Sequence, residues 1–138
     1  MVIMVMDGQG GGIGAVIIKA LRSAVQEDVE ILALGTNSAA TARLMKAGAN
    51  RGATGENAIV QTSPKADVIM GPLAILMAHA MMGEVTPRMA EAVSLSSADK
   101  VLIPLTQEKV ALIGITADPL PHLVEEAVRM VKEMAGHV

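Results

Sequence analysis

Short apolar runs alternate along this chain with segments of helical periodicity. Residues 1–6 are all apolar and lead into glycine, which predicts a buried strand. Apolar residues then recur at Ile13, Val16, Ile17, Ala20, Leu21 and Ala24, a 3.6-residue spacing that predicts a helix over about 14–26. Residues 29–34 read as a second strand. Thr36, Asn37 and Ser38 offer capping oxygens for a helix over about 39–46, which Gly48 stops. Residues 49–55 read as a polar loop, and residues 56–62 as a short helix ended before Pro64.

The second half continues the alternation. A third strand is predicted over 66–70, then a helix over 73–82 that is apolar on nearly every side. Thr86 and Pro87 supply the cap and first position of another helix. Strands four and five are predicted over 101–105 and 110–115. About four residues join them, too few for a parallel crossover, so this pair is expected to be an antiparallel hairpin. Asp118 and Pro119 open an amphipathic helix that runs to about Ala135, with its charged residues on a solvated face.

Buried strands alternating with helices imply an α/β fold, with helices on both faces of a mainly parallel sheet. The expected architecture is a single Rossmann-like three-layer sandwich over 1–138. Its expected strand order is 2-1-3-4-5, with strand five antiparallel at one edge. Ligands in such sheets bind at the carboxyl ends of the strands where the order reverses, here between strands one and three.

Composition narrows the function classes. The chain is 51% apolar and 18% charged, a globular balance. A net charge of −3 gives no electrostatic basis for binding nucleic acid or an anionic membrane. The apolar run over 68–83 is broken by Gly71 and Pro72 and is too short to span a bilayer. The amino-terminal residues carry no secretion signature, so a cytoplasmic location is expected. There is no cysteine, hence no disulfide, thiolate metal site or cysteine nucleophile. Phe, Tyr and Trp are all absent while Met occurs eleven times. The core must therefore be aliphatic, and no ring is available to stack a base or flavin.

The reversal point is where the glycines fall. Residues 6–16 read MDGQGGGIGAV, with five glycines in eleven residues. Gly10-x-Gly12-x-x-Ala15 matches a dinucleotide fingerprint, and Gly8-x-x-x-Gly12-x-Gly14 has short-chain dehydrogenase spacing. Backbone N–H groups over Gly8, Gln9, Gly10, Gly11, Gly12, Ile13 and Gly14 are thus expected to hold a phosphate at a helix N-terminus. Thr36, Asn37 and Ser38 would meet a ribose or its phosphate. Arg51, Thr54, Glu56 and Asn57 form a second polar cluster, with Arg51 a fork for phosphate or carboxylate and Glu56 a candidate acid or base. NAD or NADP is the expected cofactor.

Other features count against a dinucleotide. No acid lies between Glu30 and Glu56, where a ribose-binding acid would stand, and Arg43 is about two helical turns away. Asp7 puts a negative charge beside the loop; an Asx-type bond onto loop N–H groups is favoured over a ribose contact or a magnesium ligand. The loop lacks the Gly-Lys-Ser/Thr of a P-loop. His79 is expected in the core with one hydrogen bond, and His122 and His137 are incidental. No metal-ligand spacing and no catalytic triad emerges.

The stretches DGQGGGIG, ALGTNSAAT, KAGANRGATGENAIV, ADVIMGP, GEVTPRMAEA and KVLIPL together resemble a small bacterial family catalogued as a domain of unknown function. That resemblance implies a Rossmann-like fold and no established activity. The expectation is a sensor or regulatory module for a phosphate-bearing small molecule, a nucleotide or dinucleotide. The alternatives are a small oxidoreductase or transferase whose site is completed across a homodimer, or a structural protein whose glycines serve packing alone. The apolar overflow of the 73–82 helix is the expected homodimer face.

Overall fold

The computed structural model describes residues 1–115 and 117–136, so His137 lies outside the described residues. The strands are β1 (Val2–Asp7), β2 (Glu30–Gly35), β3 (Arg51–Thr54), β4 (Val68–Pro72) and β5 (Asp99–Ile103). The helices are α1 (Gly12–Ala24), α2 (Ser38–Lys46), α3 (Glu56–Thr62), α4 (Pro87–Leu95) and α5 (Leu120–Met134). The sheet order is β3-β2-β1-β4-β5, and every neighbouring pair is parallel.

β1 is central because it is apolar on both faces. Ile3 and Val5 point into one core with Ile17, Ile18 and Leu21 of α1, Leu44 of α2, and Val124 and Val131 of α5. Met4 and Met6 point into the other, with Ile59 of α3 and Met89 and Val93 of α4. A parallel strand covered on both sides reads as an unbroken apolar run, which is how residues 1–6 look in the sequence. The expected caps form. Asn37 Oδ1 accepts from Ala40 N at 2.8 Å, and Thr86 Oγ1 accepts from Met89 N at 3.2 Å. Among the described residues no helix is long and apolar enough to cross a membrane.

The α/β class and the 2-1-3-4 arrangement of the expected strands are observed, as β2-β1-β4-β5. The fifth strand is not the expected one, and among the described residues no strand is antiparallel. Residues 110–115 form a loop, with Val110, Leu112, Ile113 and Ile115 exposed by 43, 41, 97 and 52%. Gly114 there takes φ of 86°, a left-handed turn that an extended strand residue does not adopt. The fifth strand is instead β3, read in the sequence as a loop. Its four residues are all exposed, so it has no apolar face to betray it. It is held by main-chain pairing to β2, with Leu32 opposite Arg51 and Gly35 opposite Thr54.

The helix expected over 73–82 is also absent. A short 3₁₀ turn, Leu73–Leu76, is followed by irregular chain in which His79, Met81 and Met82 have φ of 70, 56 and 57°. Those angles are incompatible with a right-handed helix. Ala74, Ile75, Ala80 and Val85 are buried without helical spacing, so packing rather than periodicity shapes the segment. His79 is exposed rather than in the core. The dimer face expected on this helix has no helix to carry it.

Two substitutions separate these assignments by urea unfolding. Leu21→Ala, at a fully buried position, should cost about 2–5 kcal/mol. Ile113→Asp should change stability by no more than about 0.5 kcal/mol, because the side chain already faces solvent. A loss of core size at Ile113 would restore the strand over 110–115.

Candidate functional site

β1 ends in a carboxylate that is 4% exposed, Asp7. Its Oδ1 accepts from Gly8 N and its Oδ2 from Gly14 N, both at 2.7 Å. This is the Asx-type bonding onto the loop, with the second bond reaching into the first turn of α1. Burial pushes the Asp7 carboxyl above its ordinary range, while the N–H groups of Gly14 and Gly8 and the charge of Arg43 oppose the rise. The loop turns through left-handed residues at Gln9 and Gly11, with φ of 48 and 71°.

The glycines around this carboxylate divide by what surrounds them. A Cβ on Gly14 would lie 2.6 Å from Leu44 Cδ2 and 3.0 Å from Asp7 Cβ. One on Gly8 would press on Thr36 Oγ1 and lie 2.6 Å from Met81 Sδ. A side chain at either position would have to push these neighbours aside. A Cβ on Gly10 or Gly12 would approach nothing closer than the Arg43 guanidinium, at 3.8 or 3.6 Å. Among the described residues the N–H groups of Gly10, Gly12 and Ile13 have no acceptor. They border a cavity of about 300 Å³ at the carboxyl ends of β1 and β4, walled by Pro72, Ala74, Met81 and Leu105 and edged by Thr106, Gln107 and Glu108.

Other expected site residues fall into three places. Gln9, Thr36 and Asn37 are brought together, but around a side chain the sequence reading did not consider. Glu84 Oε1 accepts from Gln9 N at 2.8 Å, from Thr36 Oγ1 at 2.7 Å and from Asn37 Nδ2 at 2.8 Å. Burial raises the Glu84 carboxyl, but these three hydrogen bonds outweigh it and hold the group below its ordinary value. Thr54 and Glu56 stand further along the sheet edge. The Thr54 hydroxyl is 2.7 Å from that of Thr41, and Glu56 accepts from Thr86 Oγ1 at 2.5 Å with Arg88 3.7 Å away. Ser38 and Asn57 are exposed near these helix starts. Arg51, at the amino end of β3, pairs with Glu30 at 2.7 Å and stays away from the cavity.

Arg43 is the second residue the sequence reading set aside. α2 crosses the loop so closely that a Cβ on Gly11 would lie 3.2 Å from Ala40 Cα. One turn later Arg43 Nη1 donates to Gly10 O at 3.2 Å, placing a cation behind the loop. The shared helical face of Ala40, Arg43 and Leu44 was the available signal. Glu84 had none nearby, being 47 residues beyond Asn37. Among the described residues no group of three His, Asp or Glu side chains could hold a metal ion.

The order β3-β2-β1-β4-β5 reverses between β1 and β4, and the glycine loop stands at that reversal. The chain is therefore a Rossmann-like α/β protein with its loop at the topological switch point. It belongs to the family described as Domain of unknown function (DUF3842), which matches residues 2–136. A comparison with curated proteins finds no match. Among solved structures, one similar chain is the apo histidine-tagged saccharopine dehydrogenase (L-Glu forming) from Saccharomyces cerevisiae. It is 12% identical with a TM-score of 0.48, over 91% of this chain and 24% of that one. Another is the dodecameric FMN-dependent Ubix-like decarboxylase from Escherichia coli O157:H7, 16% identical with a TM-score of 0.47, over 97% of this chain and 75% of that one.

The glycines and Glu84 yield separate tests. Gly14→Ala should lower unfolding stability by about 1–3 kcal/mol through overpacking, while Gly12→Ala should stay within about 0.5 kcal/mol. The contribution of Glu84 should depend on pH. Its folded value lies below its unfolded one, so its stabilisation is complete above the ordinary carboxylate range and disappears as pH falls through the folded value. The difference in urea midpoint between the wild type and Glu84→Gln should therefore be full near about pH 7 and shrink toward about pH 3. Asp7, shifted upward, has the opposite sign and costs stability as pH rises through its folded value.

Proposed function

We propose that this protein binds a phosphate-bearing small molecule of the nucleotide class at the glycine loop, acting as a sensor or regulatory module. The observation that carries this reading is the set of acceptor-less N–H groups on Gly10, Gly12 and Ile13, bordering a cavity at the sheet's switch point. Main-chain donors at a helix start bind phosphate through hydrogen bonds and the helix dipole together. Arg43 adds positive charge behind them. The apolar wall of Pro72, Ala74, Met81 and Leu105 would cover the body of the ligand, and Thr106, Gln107 and Glu108 would meet its polar end.

A cavity of about 300 Å³ suits a mononucleotide-sized ligand better than a whole dinucleotide. NAD or NADP would extend toward β2, where Glu84 already engages Thr36 and Asn37. A regulatory role is preferred to a stand-alone enzyme: among the described residues two acids line the cavity, Asp7 and Glu108, and both oxygens of Asp7 are engaged by Gly8 N and Gly14 N. The residue first considered as acid or base, Glu56, is engaged with Thr86 and Arg88.

Thermal unfolding followed by circular dichroism, with AMP, ATP, NAD, NADP, CoA and inorganic phosphate, tests the reading. A ligand at about 100 times its Kd should stabilise by about 2.7 kcal/mol. Gly12→Val should keep the fold and lose that shift, because its side chain meets only the flexible Arg43 end while crowding the donors. No shift with any ligand, or an equal shift in Gly12→Val, would remove the loop as the site.

A further inference from the structure

Glu84 occupies an anion-binding arrangement with the protein's own charge. Three donors from two separate segments converge on one carboxylate oxygen: a loop N–H, a hydroxyl and an amide. Gln9, Thr36 and Asn37 are the same groups whose positions in the sequence point to phosphate and ribose. They do bind an anion, and it is internal.

The segment that delivers Glu84 is built as a unit. Residues 79–85 close on themselves through His79 N to Val85 O at 2.6 Å, Gly83 N to His79 O at 3.0 Å and Val85 N to Ala80 O at 3.1 Å. Ala80 and Val85 are anchored in the core at 2 and 0% exposure, while Met82 at the tip is 95% exposed. Three non-glycine residues, His79, Met81 and Met82, hold left-handed backbone angles, which L-residues adopt only at a cost. Toward the glycine loop the segment reaches with the Glu84 carboxylate and with Met81 beside Gly8.

We infer that residues 79–85 form a latch whose Glu84 carboxylate stands in for a second anionic group of the ligand. The inference rests on the proposed phosphate site at the loop. In the closed state the cavity takes one phosphate on Gly10, Gly12 and Ile13. A ligand carrying a second phosphate displaces the Glu84 carboxylate from Gln9, Thr36 and Asn37, while Ala80 and Val85 stay anchored in the core. Ligands of the diphosphate class are thereby distinguished from monophosphates.

Isothermal titration with inorganic pyrophosphate, using orthophosphate as the comparison, tests the latch. Glu84→Ala should bind pyrophosphate at least tenfold more tightly than the wild type, with a smaller gain for orthophosphate. Adding Thr36→Val should cancel the gain. A gain that survives Thr36→Val would reflect lost charge repulsion alone and would overturn the latch. Equal pyrophosphate binding by wild type and Glu84→Ala would overturn it while leaving the phosphate site standing. Weaker binding by Glu84→Ala would make Glu84 a ligand contact and also overturn it. If neither protein binds pyrophosphate the latch fails, and the nucleotide panel judges the loop site separately. Should Glu84→Ala not fold, Glu84→Gln retains an acceptor for Gln9 N without the charge. It should show at least a threefold gain, and its absence would count equally against the latch.

Discussion

The buried Asp7 carboxylate is the constraint around which the loop is arranged. A charge that is 4% exposed must be satisfied by hydrogen bonds, and two main-chain N–H groups six residues apart in sequence converge on it. That convergence draws the chain after β1 into a tight circuit and ties the loop to the start of α1. It also explains why Gly14 has no room for a side chain, with Leu44 on one side and Asp7 on the other. Because Asp7 uses Gly8 and Gly14, the remaining donors at Gly10, Gly12 and Ile13 turn outward. An acid that looks hostile to phosphate in the sequence thus shapes the loop surface that borders the cavity.

Charges gather at this site from all over the chain. Asp7 comes from β1, Arg43 from α2 and Glu84 from the irregular segment after β4. None is near another in sequence. A parallel sheet makes this possible, since every strand delivers its following loop to the same edge. Glu84 lies at the carboxyl end of β2, where the acid of a dinucleotide-binding sheet usually stands, although the segment after β2 is Thr36-Asn37-Ser38.

Much of the fold was legible because the relevant signals are local. Caps at Asn37 and Thr86, the 3.6-residue period of α1 and the apolar runs of β1, β2 and β4 each announce themselves within a few residues. What failed depended on distant context. β3 has no hydrophobic signature because an edge strand needs only main-chain partners. The apolar run at 110–115 meets the compositional criteria for a strand yet stays in solvent. The apolar segment after β4 lacks a period because its backbone is irregular, with His79, Met81 and Met82 at left-handed angles. The glycine loop was found from its spacing, while Arg43 and Glu84 reach it through helix crossing and long-range closure.

The strand order carries a consequence for how the chain comes together. β1 precedes its two neighbours and lies between them, pairing with β2 28 residues later and with β4 65 residues later. On a ribosome, an apolar strand therefore emerges well before its second partner exists. One edge of β1 and the Met4–Met6 face stay uncovered until Val68–Pro72 and α4 arrive. The sheet thus closes through pairings between segments far apart in sequence, the kind of contact that carries the largest loop-closure cost in folding.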